Sequence, residues 1–351
     1  MTGTTLRRPR LITPGRPTAL TPRPSRRGLL TGGLGMAALA GLTACGTDGS
    51  GPASASAGES DDAAWSFTDD RGKTVRLSRR PKRIAFLTDT VGAALWAAGL
   101  QPVAATDSGQ DIVTAVHPAW SGVTKIYSAD KGVRLEALAK ARPDLLVDAV
   151  QPDGTLQVTA QLPEAGDIAP VLGLSTYLPI ETVAGTADRL TRSLGSPLAD
   201  TAARTGYTQA STALKTAVAA NPTLRVGFVF GIDANTLGVM NPKTWAVLKT
   251  VRALGMRLVP VPGGSDNTYS QAVSWENVPS IPADLLVWAV SDPLPDNALW
   301  KRTPAVQAGQ VWKPDLASWY AYSWANFSVL LDGLATHVHG ARAGVGPRDA
   351  S

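Results

Sequence analysis

Cysteine is almost missing from this chain. Cys45 is the only one among 351 residues, which excludes an intramolecular disulfide framework and any cysteine metal cluster. Histidine is scarce too: His117, His337 and His339 are too few for an obvious transition-metal site. The last two read as a solvated helix end, with a weak metal site as the alternative. Catalytic signatures are also absent, with no G-x-S-x-G elbow, H-E-x-x-H, P-loop or G-x-G-x-x-G after a strand. A serine triad would have to use His117 or the C-terminal pair, and no serine context supports either. The chain reads as a non-enzyme.

Acidic residues are missing from one region only. Residues 1–44 hold seven arginines and no Asp or Glu, leaving 26 basic against 28 acidic residues from Cys45 onward. The formal charge of +5 is therefore a property of the leader. No basic stripe with interleaved aromatics follows it, so a nucleic-acid partner is not expected.

The leader has its own grammar. Ser25-Arg26-Arg27-Gly28-Leu29-Leu30 opens a short apolar region that ends in Leu42-Thr43-Ala44-Cys45. Basic residues, an apolar stretch and a small-residue site describe a secretory signal over 1–44. With several glycines between Arg27 and Cys45, it is marginal for a span of about 20 apolar residues. The paired arginines resemble a twin-arginine export signal, with general secretion as the other route, and Leu-Thr-Ala-Cys resembles a bacterial lipoprotein box. In that reading Cys45 is lipidated and anchors the chain to the outer face of the cell membrane; a chance cysteine in an uncleaved leader is the alternative. Residues 45–64, small and acidic, then form a flexible tether with a reach of about 20–25 Å.

Beyond the tether one pattern occurs twice. Residues 133–150 (VRLEALAKARPDLLVDAV) and 273–290 (VSWENVPSIPADLLVWAV) align without a gap at an offset of 140, pairing Glu136 with Glu276 and Asp144 with Asp284. Each copy places a carboxylate in a short first segment, then a proline-containing break, then a buried-strand run. Such a unit buries its apolar face only within a larger α/β layer, which predicts two similar lobes with mainly parallel central sheets. The expected division is an N-terminal lobe over 65–195, a C-terminal lobe over 223–340 and a flexible tail over 341–351. Between the lobes, Ser196-Pro197 offers an N-cap and a first-position proline for a connecting helix over 196–222. About 23 helical residues would make a rod of about 35 Å, limiting how far the lobes separate.

The ordered set of these features resembles the substrate-binding proteins of ABC importers for iron–siderophores and vitamin B12. The resemblance covers residues 66–340. It is carried by Asp69-Asp70-Arg71-Gly72-Lys73, Pro81-Lys82-Arg83-Ile84, the two repeat copies, Ala308-Gly309-Gln310-Val311-Trp312 and Leu330-Leu331-Asp332. It implies two α/β lobes bridged by one long helix, a ligand cleft between them, and a monomer that hands its cargo to a membrane permease. In that family one glutamate at the outer end of each lobe contacts permease arginines; the matching positions here are Glu136 and Glu276. The simpler reading of either is a first-turn carboxylate complementing the helix dipole.

The cleft is the default ligand site. Seven of the ten tryptophans follow residue 240, and the densest aromatic cluster is Trp319-Tyr320-Ala321-Tyr322-Ser323-Trp324. Aromatic rings give a bulky, partly apolar chelate large contact area, and Tyr and Trp also donate hydrogen bonds. The resemblance points to Trp319 and Tyr320 as lining the cleft of hydroxamate-siderophore binders. Tyr322, Trp245 and Tyr269 are further candidates, with Trp120, Lys125 and Tyr127 from the first lobe. Core packing is the alternative for each aromatic and a solvated surface position for Lys125. The expected cargo is a ferric siderophore, hydroxamate type favoured, whose iron arrives already chelated, so no resident cofactor or metal ligand is called for. Haem, marked by a Tyr or His axial ligand in the cleft, and cobalamin stay open, as do, more distantly, an exported enzyme and a structural lipoprotein.

Overall fold

The computed structural model describes residues 63–347 except 107–121, 129–131, 262–263, 265–267, 290–292, 316–318 and 320–321. The leader, Cys45, the tether as far as residue 62, Trp120 and Tyr320 lie outside the described residues. All described residues belong to one compact unit, Gly58–Ser351.

The chain opens with an antiparallel hairpin, β1 (Trp65–Thr68) and β2 (Thr74–Leu77), in which Trp65 faces Leu77. The Asp69 carboxylate closes its turn by accepting the N–H groups of Arg71 and Lys73, and it also accepts the N–H of Gly173. That last bond fixes the hairpin to the first sheet. The sheet comprises β3 (Ile84–Phe86), β4 (Ala104–Ala105), β5 (Thr124–Lys125), β8 (Leu145–Val150) and β9 (Val171–Ser175), in the order β5-β4-β3-β8-β9. Every pairing in it is parallel. All six residues of β8 are buried, as a parallel strand covered on both faces requires. A small ladder of β6 (Tyr127–Ser128) and β7 (Gly132–Val133) stands apart. The helices are α1 (Asp89–Ala97), α2 (Leu135–Lys140) and α3 (Ile180–Ser193).

Helix α4 (Ala203–Ala220) leads to the second sheet and is 18 residues long, about 27 Å at 1.5 Å per residue. It starts later than Ser196-Pro197 led us to expect. Ala199 N–H donates to the Ala98 carbonyl, which holds the preceding segment against the end of α1. Gly99 makes room there: its φ is +105°, and a Cβ would come within 2.7 Å of the Pro197 carbonyl oxygen. The chain then turns at Asp200, whose carboxylate accepts the N–H groups of Ala202 and Ala203 just where the helix begins, taking the part assigned from sequence to the Ser196 side chain.

The second lobe holds β10 (Arg225–Gly231), β11 (Thr236–Met240), α5 (Ala246–Ala253), β12 (Arg257–Leu258), β13 (Ser270–Ser274), β14 (Leu285–Trp288), α6 (Ala298–Lys301), α7 (Pro304–Gln307), β15 (Val311–Trp312) and α8 (Trp324–Gly340). Its strand order is β13-β11-β10-β14-β15, with β12 beside the start of β10. The pairings of β10 with β12 and β14, and of β14 with β15, are parallel, while β11 and β13 add an antiparallel side. Helix α8 lies along α4 in the same direction: Trp324 packs edge-on to Tyr207, and Asn221 donates to the carbonyls of Val338 and Ala341. The main apolar core runs through both lobes, joining Val147 and Leu190 to Leu214, Phe228 and Leu331.

The two repeat copies have the same function in the fold. Asp144 donates its N–H to the Arg83 carbonyl and accepts the N–H groups of Lys82 and Arg83 at 2.9 and 2.8 Å. Asp284 donates to the Arg225 carbonyl and accepts the N–H groups of Arg225 and Gly346, each at 2.9 Å. Each aspartate thus locks the strand it opens to the first strand of its lobe. The segment carrying Glu136 is the α-helix α2, whereas that carrying Glu276 is a 3-10 turn, Trp275–Ser280, containing Pro279. Proline lacks the N–H that an α-helical ladder would use there.

Candidate functional site

The two lobes meet beyond the carboxyl ends of their strands, where open α/β sheets place ligands. From the first lobe come Gln151, directly after β8, and Tyr177, two residues after β9. Gln151 sits on a loop tied back to the sheet by Asp148, which is fully buried. The Asp148 carboxylate accepts the N–H groups of Ala149, Val158 and Thr159 and the Thr159 hydroxyl. Burial raises its pKa above the usual aspartate value in spite of those donors.

From the second lobe come Trp245 and Tyr269. Buried Asn241 and Thr244, which follow β11, both bond the Thr268 carbonyl, at 2.6 and 2.7 Å. Asn241 N–H also donates to the Tyr269 carbonyl. The same carbonyl accepts the Trp245 indole N–H at 2.7 Å, so both side chains are set by one buried polar knot.

Across the junction Tyr177, Trp245 and Tyr269 form a three-ring cluster. Centroid distances are 6.0 Å for Tyr177–Trp245, 5.7 Å for Tyr177–Tyr269 and 5.8 Å for Trp245–Tyr269, the rings tilted or edge-on. These are favourable aromatic geometries. The Tyr269 hydroxyl donates to Gln151 Oε1 at 2.7 Å, and Gln151 in turn donates to Gln157. Burial raises the Tyr269 phenol above its ordinary value, keeping it a neutral donor. Lys249 Nζ donates to the Tyr177 carbonyl at 2.8 Å, and Ile180 N–H donates to Thr250 Oγ1 at 2.9 Å. All three rings are half-buried and so keep surface to offer.

The sequence candidates fare unevenly. Trp245 and Tyr269 are brought together; Tyr177 and Gln151 were missed, although each follows a buried-strand run directly or within two residues. Trp319 is buried against Phe228, with centroids 5.6 Å apart. Tyr322 is buried edge-on to Phe327 and borders a cavity of about 90 Å³ with Asp188 and Trp324. Both therefore pack in the core rather than in the three-ring cluster. Lys125 is exposed on β5 and Tyr127 half-buried on β6. Strand β5 is at the opposite edge of the first sheet from β8 and β9. Glu136 and Glu276 are both exposed, and the Glu276 carboxyl is held below its usual value by its own backbone N–H and by Ser274. Among the described residues no group of three or more His, Cys, Asp or Glu converges as a metal site, and no helix is long and apolar enough to cross a membrane.

Comparison with known proteins agrees with this architecture. A family model described as periplasmic binding protein matches residues 125–315. Among solved structures, DesE, a ferric-siderophore receptor protein from Streptomyces coelicolor, is 25% identical with a TM-score of 0.65, covering 79% of this chain and 99% of its own. The siderophore periplasmic binding protein from the fuscachelin gene cluster of Thermobifida fusca is 21% identical, with a TM-score of 0.57 and coverages of 74% and 97%. The catecholate-siderophore binding protein VctP from Vibrio cholerae is 16% identical, with a TM-score of 0.55 and coverages of 79% and 99%. No curated protein matches the chain in sequence.

Proposed function

This chain belongs to the periplasmic binding protein family, and on that premise we propose that it captures a ferric siderophore between its lobes and delivers it to an ABC importer permease. The observation that carries the reading is the three-ring cluster of Tyr177, Trp245 and Tyr269, bridging the lobes beyond the strand ends. Rings that are half-buried offer apolar contact to a bulky chelator, while the Lys249 ammonium, one of whose three N–H groups goes to the Tyr177 carbonyl, sits beside them as a donor for its oxygens. A ferric hydroxamate is the class we favour. Its iron is cargo, held by the chelator, so the protein contributes contact and hydrogen bonds and no metal ligand.

The remaining parts of the reading follow from it. Cys45 carries the lipid anchor that keeps a monomeric receptor at the outer face of the membrane. Glu136 and Glu276, exposed and related by the internal repeat, dock the two lobes on the permease. Similarity to DesE, a ferric-siderophore receptor at 25% identity, supports the substrate class.

The test is titration of the protein's tryptophan fluorescence with a ferric hydroxamate, a ferric catecholate, haem and cobalamin, repeated by calorimetry because iron chelates also absorb. Saturable binding of the ferric hydroxamate, without binding of the iron-free chelator, is the expected result. Tight binding of haem or cobalamin alone would replace the substrate class, and no binding of any of the four would remove it.

A further inference from the structure

The hydrogen bonds that cross between the lobes beside the three rings are of two kinds. Ile180 N–H to Thr250 Oγ1 and Lys249 Nζ to the Tyr177 carbonyl both tie α5 to the segment that enters α3. The first of them is sealed from water, since Ile180 and Thr250 are buried. Tyr269 to Gln151 joins other parts, the loop before β13 and the loop after β8, and both of its residues are only half-buried. Their oxygens stand 2.7 Å apart, so no part of a chelate passes between them while the bond lasts.

Gln151 is presented by a tight hairpin over residues 150–157. Val150 and Leu156 bridge antiparallel. Gln151 N–H donates to the Thr155 carbonyl at 2.8 Å, Gly154 N–H to the Gln151 carbonyl at 2.9 Å, and Gln157 N–H to the Ala149 carbonyl at 2.8 Å. The Asp153 carboxylate accepts the N–H and the hydroxyl of Thr155, and Gly154 makes the turn at a φ of +83°. The hairpin is thus complete in its main chain without the Gln151 side chain. That side chain is oriented all the same: its Nε2 donates to Gln157 Oε1 at 2.9 Å, which turns Oε1 to the Tyr269 hydroxyl. Tyr269 is equally fixed from behind, because its carbonyl takes the Asn241 N–H and the Trp245 indole. Two rigid parts, one from each lobe, meet in a single bond that water can replace.

We propose that this bond is a latch: the hairpin closes the empty cleft on Tyr269, and cargo enters when Gln151 and Tyr269 part. The latch deepens the reading that the cleft captures a ferric chelate, and rests on it. One hydrogen bond between half-buried groups is a weak closure, holding back the open form by about two- to ten-fold. A protein whose open form is only fractionally populated captures its ligand less readily by that fraction. The latch therefore sets how fast cargo is taken, apart from the contacts that hold it afterwards.

The test is stopped-flow tryptophan fluorescence with the ferric hydroxamate of the titration above, or whichever of the four ligands binds, on the parent, Tyr269→Phe, Gln151→Met and the two combined. Tyr269→Phe keeps the ring in its cluster, and Gln151→Met keeps the length and removes the acceptor. Each is expected to raise the association rate about two- to ten-fold. The double variant should be no faster than the singles, since all three delete one bond. Unchanged or slower association in the single variants would overturn the latch, as would gains that multiply in the double one. Deuterium exchange of the ligand-free proteins reads the same bond without cargo. The amides of residues 151–157 should exchange several-fold faster in both single variants while those of α3 stay as in the parent. Unchanged hairpin exchange would overturn the latch, and so would equal loosening of α3. If none of the four ligands binds, the capture reading falls and exchange alone decides, faster exchange confined to the hairpin keeping the latch.

Discussion

Removing either repeat aspartate deletes two main-chain N–H bonds to its carboxylate, yet the two losses should differ because their surroundings do. Asp284 is fully buried and also sits 3.6 Å from the Arg225 guanidinium. Asp284→Ala would strand the N–H groups of Arg225 and Gly346 and leave the Arg225 cation, itself largely buried, without its carboxylate. Breaking a buried pair from one side costs about 3–5 kcal/mol. Asp144 is half-exposed and the residues it serves, Lys82 and Arg83, are exposed, so water can take over both N–H groups. Asp144→Ala should then cost about 1–2 kcal/mol, near the net value of two ordinary hydrogen bonds. At about 2–4 °C per kcal/mol for a chain of this order, the expected drops in melting temperature are about 10 °C and about 3–5 °C. Thermal and urea unfolding of the two variants against the parent measure this. Equal losses, or a larger loss at Asp144, would refute the argument that burial decides the cost.

Other expectations are independent of that one. The Asp148 carboxyl is raised by burial, so the folded state binds its proton more tightly than the unfolded chain. Its stabilising contribution is complete below the ordinary aspartate value and is lost as pH rises through the raised one. Asp148→Asn should therefore flatten the decline of stability above about pH 4, and an unchanged pH profile would count against it. Gly333→Ala would place a Cβ 2.5 Å from the Trp312 ring, which stacks on His337. Overpacking of about 1–3 kcal/mol should outweigh the gain in helix propensity, read as a lower urea midpoint with shifted tryptophan emission. Glu136→Ala combined with Glu276→Ala should abolish uptake of the ferric ligand while leaving its affinity intact, and equal loss of both would refute the docking role.

What could be read from sequence depended on whether local pattern and tertiary need agreed. Runs such as Leu145–Val150 announced themselves because a strand buried on both faces is apolar at nearly every position, Asp148 being the one polar member of this one. The start of α4 did not, because Ser196-Pro197 is a good local cap that lost to packing of the same segment on α1. The antiparallel side of the second sheet was invisible for a related reason: Ser270–Ser274 is partly exposed along its length and shows little apolar signal. Trp245 and Tyr269, named from residue type, lie side by side in the structure. Tyr177 and Gln151 were not named, since only the meeting of two loops far apart in sequence gives them a shared purpose. In the dense aromatic stretch before α8, residue type came without convergence on the three-ring cluster. Trp319 and Tyr322 lie against Phe228 and Phe327, filling the core where the last helix begins.

The staple at Asp284 also sets an order of events as the chain is made. Asp144 finds both of its N–H partners, Lys82 and Arg83, already synthesised, so the first lobe can lock its sheet once β9 has emerged. Asp284 must wait sixty-two residues for Gly346. Until then the second lobe holds a buried carboxylate that is only half satisfied, and its central strands stay the easier ones to open. Chains halted before Gly346 should show a protease-resistant first lobe beside a sensitive second one, which makes the late segment the point at which the receptor commits to its finished form.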